Sequence, residues 1–205
     1  MKECYPLVGK RIDLKKVSYF VHGLVHDNPL IFISNEFKKI VNEKLKNYPV
    51  ICEDGFAEWI TDSKSFNEIK YFELNKIKPR QYLDCLKDYV YNRFIKKTHK
   101  TDLMKKVQEM NNLKDYSAIR ETLFTKYPPE PKGMNTLLSK TNNGTIENPK
   151  GELPLRIRRY IYEAKESLKY AKSNNLSELH IIVGCAHELP LEYLITNYRL
   201  LREVF

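Results

Sequence analysis

Three patterns predict an α/β fold in which a parallel-rich central sheet is flanked by helices and a mostly helical insertion occupies the middle of the chain. Residues 17–25 (VSYFVHGLV) and 179–183 (LHIIV) are apolar, uncharged runs of strand length, as expected of strands buried on both faces. A helix-period stripe follows the first run and another precedes the second. The chain has 205 residues, enough for one domain with a sizeable core, so residues 1–205 are read as a single α/β domain.

In chain order, the first strand ends near the polar break His26-Asp27-Asn28-Pro29. Ser34 can cap a helix whose apolar positions Phe37, Ile40, Val41 and Leu45 recur at three and four, and residues 48–52 form a second strand. Strand, helix and strand within about 35 residues make a βαβ unit, so the two strands should be parallel.

Residues 61–153 are the insertion. Within it, 79–96 carries the stripe Tyr82, Cys85, Leu86, Tyr89, Val90 and Phe94, and 102–126 continues in helical style. From 127 to 153 the segments PPEPKG, TNNGT and NPKG are too rich in Pro, Gly and Asn for regular structure; a loop that long is commonly a lid or disordered. After Pro154, Ile157, Ile161, Ala164, Leu168 and Ala171 are spaced four, three, four and three down one helix that ends near Asn174-Asn175. The strand at 179–183 follows, and Pro190 sits where a final helix carrying Leu191, Leu194, Ile195, Tyr198 and Leu201 starts.

The formal charge is +9. It is concentrated in residues 76–133, where 11 Lys and 3 Arg face 4 Asp and 3 Glu. That layer is either a solvated surface or a surface for an acidic partner such as nucleic acid. No apolar run approaches the roughly 20 residues of a membrane helix, and the N-terminus lacks the apolar core of a signal peptide. The expectation is a cytoplasmic protein with no membrane contact. Cys4, Cys52, Cys85 and Cys185 form no Cys-x-x-Cys pair and are read as reduced, packing residues.

Chemistry is concentrated at three strand ends. Gly-x-x-His occurs twice, as Gly23-Leu24-Val25-His26 and Gly184-Cys185-Ala186-His187, whereas chance in a chain this poor in Gly and His gives well under one match. Each motif begins at the end of a predicted buried strand, and Glu53 closes the second strand in the same way. Open parallel sheets bind ligands outside the carboxyl ends of their strands, so His26, Glu53 and His187 should meet in one crevice. Two imidazoles and a carboxylate suit a divalent metal or an acid–base pair. The helix before the last strand runs antiparallel to it, which brings Arg156 in its first turn to the same edge, where a cation can stabilise an oxyanion. Arg158 and Arg159 are expected to turn towards solvent or another flank.

Other residues are read more plainly. His22 and His26 are four apart, a spacing that shares a metal on a helix but spans roughly 13 Å on a strand. His22 and His180 are therefore expected to be hydrogen-bonded core histidines, and His99 a surface residue. Asp27, Asp54 and Glu188 adjoin the principal residues and can orient them or face solvent. Cys185 lies two residues before His187, but no activating cation is evident beside it for a nucleophile.

These residues resemble the TIKI/TraB superfamily, which includes the TraB/PrgY, TIKI and EreA/ChaN-like proteins. The resemblance covers about residues 17–60 and 154–200. Glu53 stands in Cys-Glu-Asp-Gly where Val-Glu-Leu-Asp is more usual. The resemblance implies a metal-dependent hydrolase of peptide or ester bonds. In it, His26, His187 and Glu53 hold a divalent ion (Mn, Co or Zn), Glu53 is ligand or general base, Arg156 stabilises the oxyanion, and Gly23 and Gly184 are motif glycines. The substrate expected is a peptide or small molecule. A competing expectation is a non-catalytic protein whose basic 76–133 layer, with Tyr82, Tyr89, Tyr91 and Phe94 among its charges, holds nucleic acid or another polyanion. A third is an inactive relative that sequesters a peptide or cofactor.

Overall fold

The run LHIIV is apolar on both strand faces, and a strand of that kind belongs where neighbours pair with both its edges and helices cover both its faces. The computed structural model, which describes residues 9–24, 33–74, 141–142, 145–146, 155–184 and 187–201, places it there. The elements in chain order are β1 (Lys10–Leu14), β2 (Val17–Leu24), α1 (Asn35–Leu45), β3 (Val50–Cys52), β4 (Lys64–Ser65), α2 (Glu68–Leu74), β5 (Thr141–Asn142), β6 (Thr145–Ile146), α3 (Leu155–Ser173), β7 (Glu178–Gly184) and α4 (Glu188–Thr196). Five strands form one sheet in the order β1-β2-β7-β3-β4, and β5 and β6 make a separate antiparallel pair. All pairings in the main sheet are parallel except β1 with β2.

The α/β architecture is as the sequence predicts, and β2 and β3 run parallel. They are not neighbours, however, because β7 inserts between them, pairing Leu24 with Gly184 on one side and Cys52 with Ile182 on the other. The last strand among the described residues therefore lies between the first two parallel strands, and the carboxyl ends of all three lie at one edge.

Strand alternation divides β7 in two. Leu179, Ile181 and Val183 join Tyr19, Val21 and Ile51 in a buried cluster with Ile157, Ala164, Leu168 and Ala171 of α3 and Leu191, Leu194 and Ile195 of α4. Apart from Ile161, which is half-buried, the predicted α3 stripe is thus fully buried. Pro190 sits in the first turn of α4, where its missing N–H would have had no helical partner. Helix α1 is capped by Ser34, whose side chain accepts from the Phe37 amide, and buries Phe37, Val41 and Leu45. Asn42 of this helix accepts a hydrogen bond from the Thr61 amide at 2.9 Å, tying α1 to the segment after β3.

The other sheet face carries Phe20, His22, Val50, Cys52, His180 and Ile182, all buried. As expected, His22 and His180 are core histidines, and each is the other's partner: His22 Nε2 lies 2.9 Å from His180 Nδ1. Phe20 stacks on His180 at 4.7 Å, and Tyr48 packs on it at 4.6 Å.

Strands β1 and β4 and helix α2 have no counterpart in the sequence reading, and the β5–β6 pair lies in the 127–153 stretch expected to lack regular structure. Strand β1 fully buries only Ile12, with Leu14 half-buried and Lys10, Arg11 and Asp13 exposed, so an edge strand of this kind leaves almost no hydrophobic signal. It returns into β2 through Lys15-Lys16, with Lys15 at φ 57°. Within the stretch assigned to the insertion, β4 extends the sheet and α2 packs beside α3. The basic layer with Tyr82, Tyr89, Tyr91 and Phe94 lies outside the described residues, as does most of the 127–153 loop.

Burial pushes the His180 imidazole down to about 4 from 6.5. The unfolded chain takes up this proton below about pH 6.5 while the folded chain refuses it until about pH 4, so stability declines as pH falls through that window. At about 1.4 kcal/mol per pH unit of offset, the decline is on the order of 3 kcal/mol. Urea denaturation of wild type and His180→Gln between pH 7 and 4 checks it: the wild type should lose stability more steeply, and equal slopes would contradict a neutral buried imidazole.

Candidate metal centre

Glu53 is the first residue after β3, and its amide extends the ladder by donating to the Ile182 carbonyl at 3.0 Å. The side chain is only 3% exposed, so it needs partners close by. One oxygen, Oε1, accepts the Gly184 amide at 2.7 Å and lies 2.6 Å from His187 Nδ1. The Gly184 carbonyl in turn accepts the His187 amide at 2.7 Å. The two ends of the second Gly-x-x-His motif are thus tied together: its glycine amide and its histidine ring converge on one carboxylate oxygen. His187 also occupies the N-cap position of α4 and packs edge-on against Tyr160, with ring centroids 5.0 Å apart.

The other oxygen of Glu53 meets a cation from α3. Arg159 Nη2 lies 2.9 Å from Glu53 Oε2, and Arg159 Nε lies 2.7 Å from Glu163 Oε1 and in direct contact with Glu68 Oε1. Arg159 does turn away from the apolar stripe, as expected, but to a covered flank and not to solvent. At 100° per residue, Arg159 and Glu163 lie roughly 120–160° from the centre of the apolar stripe, a position that is exposed only if nothing covers that side. Helix α2 and the turn after β3 cover it, so Arg159 is 5% exposed and Glu163 fully buried.

Asp54, considered as an orienting residue, instead builds this cover. Its Oδ1 accepts from the Ser65 hydroxyl and its Oδ2 from the Ile69 amide at 3.4 Å. Tyr71 then stacks on Tyr162 at 4.2 Å and donates to the Arg158 carbonyl at 3.4 Å, while the Tyr162 hydroxyl bonds the Phe66 carbonyl. Together these contacts press Glu68 against Arg159.

Of the sequence-predicted site residues, Glu53 and His187 are brought together. His26 lies outside the described residues, as do Asp27 and Cys185. Arg156 belongs to the first turn of α3, but its side chain is outside the described residues. Glu188 is fully buried in the first turn of α4. Glu163 and Glu68 were not anticipated. Glu163 carries a faint signal, since it stands one turn after Arg159 and beside Ala164 of the stripe; Glu68 carries none, because its role depends on how α2 docks.

Three carboxylates and one guanidinium share this buried space. Burial pushes the Glu163 carboxyl well above its ordinary range; Arg159 pulls it back, and the charges of Glu53 and Glu68 add to the rise. Burial raises the Glu68 carboxyl as well, against the pull of Arg159. Three carboxylates crowded around one guanidinium raise one another's proton affinity, and a further cation would relieve that crowding. Glu53, Glu163 and His187 each offer a donor atom, all within 4.8 Å of one another, so this group could hold a metal ion. Two carboxylate oxygens and an imidazole nitrogen are donors that Zn, Mn and Co accept.

Comparison with family models, curated proteins and solved structures finds no match. Among the described residues no helix is long and apolar enough to cross a membrane.

Removing the guanidinium leaves buried carboxylates without their counter-charge, a change that typically costs about 3–5 kcal/mol. Arg159→Met should therefore lower unfolding free energy in urea at pH 7 by that order, whereas a solvent-facing arginine would give a change within about 0.5 kcal/mol.

Proposed function

We propose that this chain is a metal-dependent hydrolase of peptide or ester bonds, with a divalent ion held by Glu53, Glu163 and His187. The observation that carries this reading is the buried donor group itself: two carboxylates and an imidazole from β3, α3 and the turn after β7, gathered where parallel strands end. The crowding of carboxylates around it supports the same reading, because a dry site holding three carboxylates and one arginine gains from a divalent cation.

When bound, such an ion supplies a Lewis acid that polarises a carbonyl and makes water a stronger acid. The protein's residues do the rest. Glu53 holds the His187 ring through Nδ1 and can take a proton from water as general base. Arg159 fixes the direction of the Glu53 carboxylate through Oε2. In this proposal His26, two residues beyond β2, is a further ligand, and Arg156 in the first turn of α3 stabilises the developing oxyanion. The TIKI/TraB resemblance supports the choice of peptide or ester bonds.

The 2.6 Å approach of His187 Nδ1 to Glu53 favours one second reading, a metal-free acid–base pair in which the carboxylate orients the imidazole. A chelator separates the two. Purified protein should contain about one equivalent of divalent metal and hydrolyse chromogenic ester or peptide substrates. Chelation should abolish that activity, and re-addition of metal restore it. Glu163→Gln and His187→Ala should each lower metal affinity by about tenfold or more and kcat/KM by about a hundredfold. Retention of both properties by either variant removes the proposal, and activity that survives chelation favours the metal-free pair.

A further inference from the structure

Glu68 stands outside the donor group of Glu53, Glu163 and His187, yet its carboxylate is 6% exposed and paired with Arg159. Arg159 also reaches two of the three donors, Glu53 at 2.9 Å and Glu163 at 2.7 Å. A guanidinium keeps its proton at every accessible pH, so a fixed positive charge sits against the carboxylates that the metal-centre reading gives to a cation. Left uncompensated, it would repel the ion those carboxylates attract.

We propose, on the basis of that reading, that Glu68 and Arg159 form a charge-setting pair that makes the site selective for a divalent ion. Glu68 cancels Arg159, and Glu53 and Glu163, which must be deprotonated to ligate an ion, then present two negative charges. A divalent ion leaves the buried cluster neutral. A monovalent ion leaves one negative charge and a trivalent ion one positive charge, each of which is expensive without water. Glu68 therefore acts through Arg159 and is a positioning residue. Its placement follows from the contacts that dock α2, namely Asp54 at the helix start and Tyr71 against Tyr162.

The test is calorimetric titration of metal-stripped protein with manganese or zinc chloride, with bound metal counted by elemental analysis and folding checked by circular dichroism. Glu68→Gln should weaken divalent binding by roughly tenfold or more. Glu68→Asp, which keeps the charge, should retain most of the affinity. The double variant Glu68→Gln/Arg159→Gln, which removes both charges, should recover most of the loss. If Glu68→Gln does not fold, the Asp and double variants carry the comparison. A double variant as weak as, or weaker than, Glu68→Gln overturns the proposal, since Glu68 would then act as a ligand or a packing group. Unchanged affinity in Glu68→Gln overturns it equally. Folded wild-type protein that binds neither metal overturns the metal-centre reading itself, and the proposal with it.

Discussion

One carboxylate ties together the ends of β3 and β7, the start of α4 and the body of α3 at a single point. Glu53 Oε1 receives the last amide of β7 and faces the ring of His187 at the start of α4, while Oε2 receives a guanidinium from α3. Glu53 itself leaves β3. A side chain that is 3% exposed cannot remain there as an anion unless its oxygens are engaged, because an unpaired buried charge costs several kcal/mol. Satisfying Glu53 thus forces three elements to meet within hydrogen-bonding distance at one sheet edge. The hydrophobic cluster of α3, α4 and the sheet brings these elements near one another; the carboxylate specifies how they meet.

The same constraint explains the uneven chemistry of the two sheet faces. His22 and His180 lie mid-strand, among Phe20, Tyr48 and apolar neighbours, with no carboxylate in contact among the interactions described. One nitrogen of each ring meets the other at 2.9 Å, and burial keeps the His180 imidazole uncharged. His187 lies beyond the strand end and is anchored by an anion. An imidazole locked between aromatic rings is structural, whereas one beyond a strand end and 2.6 Å from a carboxylate can serve chemistry.

Much of this was legible in the sequence, and where legibility fails there is a physical reason. Uninterrupted apolar runs reveal β2 and β7, and period-3.6 stripes reveal α1 and α3, because each buries a continuous apolar surface. The meeting of Glu53 with His187 follows from chain topology, since polar residues that end neighbouring parallel strands must share an edge. Strand β1 was invisible because it fully buries a single side chain. The cover over Arg159 was not foreseen because the reading assumed a helix with a single buried side. The stripe centred on Leu168 does face the sheet, but α2 covers a second side, and nothing local in the sequence around Glu68 announces that α2 docks there.

That second buried side changes what the cluster can be. A lone Glu53–His187 pair at a strand end could be a structural anchor, a carboxylate holding a turn closed. Adding Glu163 and Glu68 works against stability alone, since each further carboxylate raises the energy of those already buried, as the upward displacement of both their proton affinities records. A fold needing only an anchor would have no use for three acids around one arginine, and apolar residues of similar volume would serve it as well or better. Strain of this kind persists where the arrangement does something besides holding the chain together. A cation held by Glu53, Glu163 and His187, as proposed, would both relieve the strain and give it a use.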